Sequence, residues 1–247
     1  MSRCFDPDPK KSWLFAFTHP DDELAIAAWV RRLALQGNPV FLSWTHSTPR
    51  REAEARAFAE AVQVPPDRLF FAKAKDGQCP EEMPQLVLYF RDVLDRIQPD
   101  RVATGAFEHG HLDHDATNCA LHGAGASQVV EFPLYHSYLT RFQKLNRFSD
   151  PAGQEILELT LDEQVWKIER ARGYPSQTIW SILVAVEIWH RIQFRGGQLQ
   201  KTERLRWQTH RDFSIPNAPD VLRQKIKRSN RWQRWLSALD HLRQSQS

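Results

Sequence analysis

Two short strings in this chain combine residue types that bind metal ions and move protons. The first is Phe-Thr-His-Pro-Asp-Asp-Glu, Phe17 to Glu23, and the second is Glu-His-Gly-His-Leu-Asp-His-Asp, Glu108 to Asp115. Together they supply an imidazole at His19, two more spaced i, i+3 at His111 and His114, and carboxylates at Asp21, Asp22 and Asp113. Imidazole nitrogen with carboxylate oxygen suits Zn²⁺, and a catalytic zinc site characteristically takes three protein ligands and leaves one position for water. Thiolates are not needed, and Cys4, Cys79 and Cys119 are widely spaced with no C-x-x-C pair, which suggests neither a thiolate metal site nor a disulfide framework. The same residues have plainer uses. Asp21 or Asp22 would cap a helix beginning near Leu24, and Asp113 or Asp115 one beginning near Ala116. The position of the strings in the fold separates these readings.

Each string follows a predicted strand. Trp13 to Thr18 reads as a buried strand and Leu24 to Leu35 as a helix closed by Gly37-Asn38-Pro39. Val40 to Thr45 is a second strand, Arg50 to Val62 a helix with Ala55, Phe58, Ala59 and Val62 on one face, and Leu69 to Phe71 a third strand. Glu81 to Ile97 is helical by spacing, Arg101 to Gly105 a fourth strand leading into the His-rich string, and Val129 to Phe132 a fifth. Beyond Pro133 the pattern loses a clear period. Asp162 to Ala171 reads as a helix, and Asp220 to Leu242 as one long helix with Trp232, Trp235, Leu236, Leu239 and Leu242 on a stripe. Alternating strands and helices predict an α/β fold, a Rossmann-like three-layer sandwich with a largely parallel sheet and a C-terminal helical extension. In such sheets ligands bind at the carboxyl ends of the strands, so both strings would face one crevice.

T-H-P-D-D-E followed by H-L-D-H resembles the PIG-L/LmbE-like superfamily of zinc-dependent N-acetylglucosaminyl de-N-acetylases. Further family-like elements are Arg51 and Glu54 in R-x-x-E, Asp76-Gly77, Lys167, and Tyr174-Pro-Ser-Gln177 in Y-x-S-Q. Val62-Gln63 departs from the family's L-G, and nothing beyond Arg195 matches it. The resemblance implies that His19, Asp22 and His114 hold the zinc and that Asp21 is the general base for the attacking water. It further implies that His111 stabilises the oxyanion and that Asp113 orients His111. Adjacent carboxylates in a sharp turn point in different directions, so Asp22 can ligate while Asp21 takes a proton. Fe²⁺ and Co²⁺ also suit a His/Asp/His set. Arg51 is a substrate contact or half of an i, i+3 helix pair with Glu54. Asp76 binds a sugar hydroxyl or only makes a turn. His136 forms a pocket wall or is structural, and Gln177 belongs to the pocket or its support.

The implied activity is zinc-dependent hydrolysis of the acetamide of an N-acetylated amino sugar, as a GlcNAc-type glycoside, glycolipid or activated sugar. Two alternatives remain: a zinc amidase acting on a thiol conjugate or N-acyl antibiotic-like glycoside, and a non-catalytic sugar or head-group binder. Other enzyme classes lack their signatures. No G-x-G-x-x-G follows the first strand, and neither G-x-x-x-x-G-K-[ST] nor G-x-S-x-G occurs.

The 247 residues, 41% hydrophobic and 26% charged, suit an ordinary globular chain able to bury a sizeable core. The net charge of +3 is uneven, with twelve Lys/Arg against four Asp/Glu from Arg195 onward, which leaves residues 1–194 net acidic. Nucleic acid is disfavoured as a partner because the acidic part holds the motifs. The basic tail leaves membrane contact open without favouring it. The expected organisation is a catalytic α/β domain over 1–194 and a basic extension over 195–247 packed on it. Met1 to Ser12 has no apolar signal-peptide core, so a cytoplasmic location is expected.

Overall fold

Every residue of the first strand, β1 (Trp13–Phe17), is buried, and its alternation assigns the two faces of the sheet. Leu14 and Ala16 enter one apolar core, while Trp13, Phe15 and Phe17 enter the other. A strand covered on both faces reads as a continuous hydrophobic run, which is why W-L-F-A-F shows no polar alternation. The structure is a computed structural model that describes residues 3–136, 144–193 and 196–246, without the side chains of His136 and Gln198.

After β1 come a short 3₁₀ turn (Asp22–Ala25), α1 (Ala27–Leu35), β2 (Val40–His46), α2 (Pro49–Ala61), β3 (Leu69–Ala74), α3 (Met83–Ile97) and β4 (Arg101–Gly105). Then follow α4 (Leu112–Gly123), β5 (Val129–Phe132), β6 (Tyr135–His136), β7 (Lys144–Leu145), β8 (Gln154–Glu158) and α5 (Leu161–Ala171). The chain continues through α6 (Ile179–Ile192), α7 (Gln198–Lys201), β9 (Thr202–Trp207), α8 (Asp220–Lys227) and α9 (Asn230–Ser245). The main sheet has the order β3-β2-β1-β4-β5-β9-β8. Its first five strands are parallel, whereas β9 runs antiparallel to both β5 and β8. The fold is therefore α/β and Rossmann-like. The order reverses between β1 and β4, and there the crevice for a ligand opens.

The helix expected from Leu24 begins at Ala27, after a 3₁₀ turn over Asp22–Ala25 that takes no side-chain cap from Asp21. Three further segments differ from the sequence expectation in ways that bear on the site. The helix expected near Ala116 begins about a turn earlier, at Leu112, because the His111 side chain accepts the Asp113 amide as its cap. Asp113 and His114 therefore lie on the first helical turn. The single helix expected over Asp220–Leu242 breaks at Ser229, whose hydroxyl accepts the Trp232 amide and starts α9. The segment beyond residue 195 also supplies β9, a strand inside the main sheet, before α8 and α9 pack Leu222, Ile226, Trp232, Trp235 and Leu239 into the core. No helix among the described residues is long and apolar enough to cross a membrane.

Glu203 on β9 ties this part of the sheet to α1 and to Lys167, which lines the crevice. Its carboxylate accepts the Ala28 and Trp29 amides, both at 2.8 Å, at the start of α1, and lies 2.7 Å from Lys167 Nζ. Both side chains are buried. Glu203→Ala strips this buried ammonium of its partner and uncaps α1, and removing one member of a buried pair costs about 3–5 kcal/mol. We expect a fall of roughly 10 °C or more in thermal midpoint, measured by calorimetry. A midpoint within 2 °C of wild type, about the shift from 1 kcal/mol in a chain this size, would contradict the assignment.

Candidate metal centre

The turn after β1 is built around one strained residue. Asp21 has φ 129° and ψ −25°, a conformation that L residues adopt at a cost and that persists only when surrounding contacts enforce it. Those contacts are present. The Asp21 amide donates to Glu23 Oε2 at 2.7 Å, and the buried Arg51 guanidinium donates to the Pro20 carbonyl at 2.6 Å and to Asp21 Oδ2 at 3.3 Å. Glu23 is fully buried, and burial pushes its carboxyl up to about 7. Burial and the neighbouring Asp22 carboxylate likewise raise Asp21, with Arg51 and His19 opposing them.

Asp22 points the other way. Its Oδ2 accepts the Thr18 amide at 3.1 Å and the His19 amide at 2.8 Å, while Oδ1 lies 3.3 Å from His114 Nε2. His19 Nδ1 is 3.2 Å from the same His114 nitrogen. Four ligands at the usual zinc distances of about 2.0–2.2 Å stand about 3.3 Å apart at tetrahedral angles; the two separations to His114 Nε2 match that spacing, and His19 Nδ1 stands 3.8 Å from Asp22 Oδ2. His19, Asp22 and His114 are thus brought together as expected. Carboxylates also back the far side of His19: Nε2 is 3.2 Å from Asp76 Oδ1 and 3.4 Å from Asp113 Oδ2. Burial works against charge on this ring, but Asp113 and Asp76 outweigh it and raise His19 to about 10. Such outer carboxylates fix the orientation of a ligating imidazole.

His111 stands beside this set, its ring centroid 5.4 Å from that of His19 and 5.3 Å from that of His114. Its Nδ1 accepts the Asp113 amide at 3.2 Å, so the neutral ring carries its proton on Nε2, free to donate. Burial and the nearby His114 hold its pKa down to about 4, which keeps the ring neutral at physiological pH. Orientation comes from the backbone of Asp113. The Asp113 carboxylate is 4.0 Å from His111 Nδ1 and instead accepts the Gly77 amide at 2.6 Å and the Cys79 amide at 3.2 Å.

The remaining expected residues divide. Arg51, Asp76 and Gln177 line a cavity of about 690 Å³ together with His19, Asp21, Asp22, His111 and His114. Arg51 and Asp76 are engaged with the Asp21 turn and with His19. Glu54 accepts the Ser176 amide at 2.9 Å and its hydroxyl at 2.5 Å, so the R-x-x-E helix fastens the Y-x-S-Q loop. His136 follows Tyr135 on β6, and its side chain lies outside what is described. Tyr135 was not singled out from sequence. It lines the cavity with its ring 5.5 Å from His114. Ile179, Trp180 and Leu183 of α6 also line the cavity and carry no sequence signal of that role, because an apolar-rich helix reads equally well as core.

Residues 14–124 match the PIG-L family model, described as GlcNAc-PI de-N-acetylase. No curated protein matches the chain. Among solved structures, the zinc-inhibited form of teicoplanin deacetylase superposes with TM-score 0.59 at 14% identity, covering 79% of this chain and 97% of that one. N,N'-diacetylchitobiose deacetylase from Pyrococcus horikoshii gives TM-score 0.52 at 16% identity over 83% and 87%. The 4-carboxy-2-hydroxymuconate hydratase GalB from Pseudomonas putida KT2440 gives 0.53 at 16% over 82% and 98%. These likenesses establish the fold, which carries a hydratase as well as deacetylases, so the reaction must be argued from the site.

Proposed function

Residues 14–124 of this chain are a PIG-L-family segment, and from that premise we propose that the protein is a metal-dependent deacetylase of N-acetylated amino sugars. The observation that carries this reading is the convergence of His19, His114 and Asp22, whose donor atoms lie within 4.8 Å of one another, with Asp21 and a neutral His111 on the same cavity. Zinc fits these donors, and when bound it supplies a Lewis acid and makes water acidic enough for a carboxylate base. Asp21 accepts the proton of the attacking water and returns it to the departing amine. His111 donates Nε2–H to the oxygen on which negative charge develops. Arg51 and Glu23 hold Asp21 in its strained turn, and Asp113 and Asp76 hold His19.

His111→Ala is expected to lower kcat by about 10²–10³-fold at unchanged zinc content, the usual effect of losing one oxyanion donor. Wild-type turnover in this variant would remove His111 from the reaction.

The substrate is an N-acetylhexosamine joined to an apolar aglycone. A cavity of about 690 Å³ lies well within the range of about 300–1,000 Å³ that holds drug-sized ligands. Leu134, Ile179, Trp180 and Leu183 supply apolar lining to the same cavity. The test is acetate release by the zinc-loaded protein from N-acetylglucosaminides with methyl, butyl and octyl aglycones. KM should fall by about two- to fourfold per methylene along the first few carbons. Release that ignores the aglycone would refute the apolar subsite, and no release from any member would refute the sugar.

A further inference from the structure

Helix α9 lies far in sequence from both metal-site strings and outside the PIG-L match, yet three of its residues touch the loops that carry the site. Arg231 donates to the Gly110 carbonyl at 3.0 Å, one residue before His111. Trp232 meets the His109 ring edge-on, with centroids 5.1 Å apart. Arg234 donates to the Gly77 carbonyl at 2.5 Å while its guanidinium grips both oxygens of Glu81 at 2.7 and 2.6 Å. The helix is a firm base for these contacts. Trp232, Trp235, Leu239 and Leu242 are buried in the core that contains α3 and α4, and Trp235 Nε1 donates to the Phe213 carbonyl at 2.8 Å.

Each contact continues inward. Gly77 and Cys79 turn their amides onto the Asp113 carboxylate, and that carboxylate stands 3.4 Å from His19 Nε2. His109, at φ 61°, donates its amide to the fully buried Asp115 at 3.1 Å, which shapes the loop that delivers His111. We propose that α9 is the positioning element of the metal site: Arg234, through the Gly77 turn, sets Asp113 and hence the His19 ring, while Arg231 and Trp232, through His109 and Gly110, set His111. The two arginines lie on one helix but act on different groups, so their removal has different signatures. Arg234 and Glu81 are both half-exposed, and such a pair adds little to global stability, so the variants fold and the effects are local.

The experiment uses the full chain as wild type, Arg231→Ala, Arg234→Ala and Arg234→Lys. Hydrogen exchange is followed over residues 75–79 and 108–111, zinc affinity by chelator competition, and kcat and KM by acetate release. The kinetic arm rests on the deacetylase reading, whereas the exchange and affinity arms do not. Arg234→Ala should speed exchange over 75–79 and weaken zinc binding by about tenfold or more, the usual effect of losing outer support for a ligand. Arg234→Lys should not restore either, because one ammonium cannot reproduce a planar fork that spans Glu81 and Gly77. Arg231→Ala should keep zinc affinity, speed exchange over 108–111 and lower kcat about tenfold with KM little changed. Wild-type exchange and affinity in Arg234→Ala, or a uniform rise in exchange across the whole chain, would overturn the proposal. If no substrate is turned over, the deacetylase reading fails, and exchange and affinity still decide the role of α9.

Discussion

Asp21→Asn is expected to cut acetate release by about 10²–10⁴-fold while zinc binds as in wild type, because the substitution removes proton acceptance and almost nothing else. Asn has the shape of Asp, and the contacts that enforce the turn at φ 129°, from the Asp21 amide to Glu23 and from Arg51 to the Pro20 carbonyl, do not use the carboxylate charge. The Asn side-chain oxygen still accepts from Arg51, which lies 3.3 Å from Asp21 Oδ2. His19, Asp22 and His114 are untouched. Steady-state acetate release beside zinc content of the same preparation measures both quantities. Turnover within a few-fold of wild type would mean that another group takes the proton.

Asp22→Ala should act on the ion itself. Oδ1 faces His114, and Oδ2 holds the amides of Thr18 and His19. Alanine therefore deletes one ligand and frees the backbone that aims a second, leaving two buried amides without acceptors at a cost of about 1–3 kcal/mol each. Zinc should no longer bind stoichiometrically, activity should fall to background, and the melting temperature should drop. Asp22→Asn separates these effects, since its amide oxygen can still accept from the turn while the ligand charge is lost. An Asp22→Ala protein that binds zinc with wild-type affinity would show that the three-donor cluster is not the metal centre.

Much of this site was legible because its chemistry depends on residue type and on position after a strand. The bounds of β4 and β5 match the expectation, and those of β1 and β2 match it to within a residue, since strands buried on both faces announce themselves as apolar runs between breakers. His19, Asp22 and His114 converge because β1 and β4 are neighbours at the point where strand order reverses. What sequence did not show depends on tertiary contacts. Histidine is an unusual cap, so the start of α4 at Leu112 was invisible until His111 was seen to accept the Asp113 amide. The stripe of apolar residues through Trp232 hid the break at Ser229. β9 reads as part of a basic tail because Arg204 and Arg206 lie within it, yet Arg206 is paired with Glu131 across the sheet at 2.8 Å. Glu23 gave no sign that its buried carboxylate would hold the Asp21 turn.

The most direct test of a metal-dependent deacetylase at this site is to titrate metal-free protein with zinc while following acetate release from an alkyl N-acetylglucosaminide. Release should be absent at the start, rise linearly, and level off at one zinc per chain. Release from the metal-free protein, or silence with one zinc bound, would contradict the account.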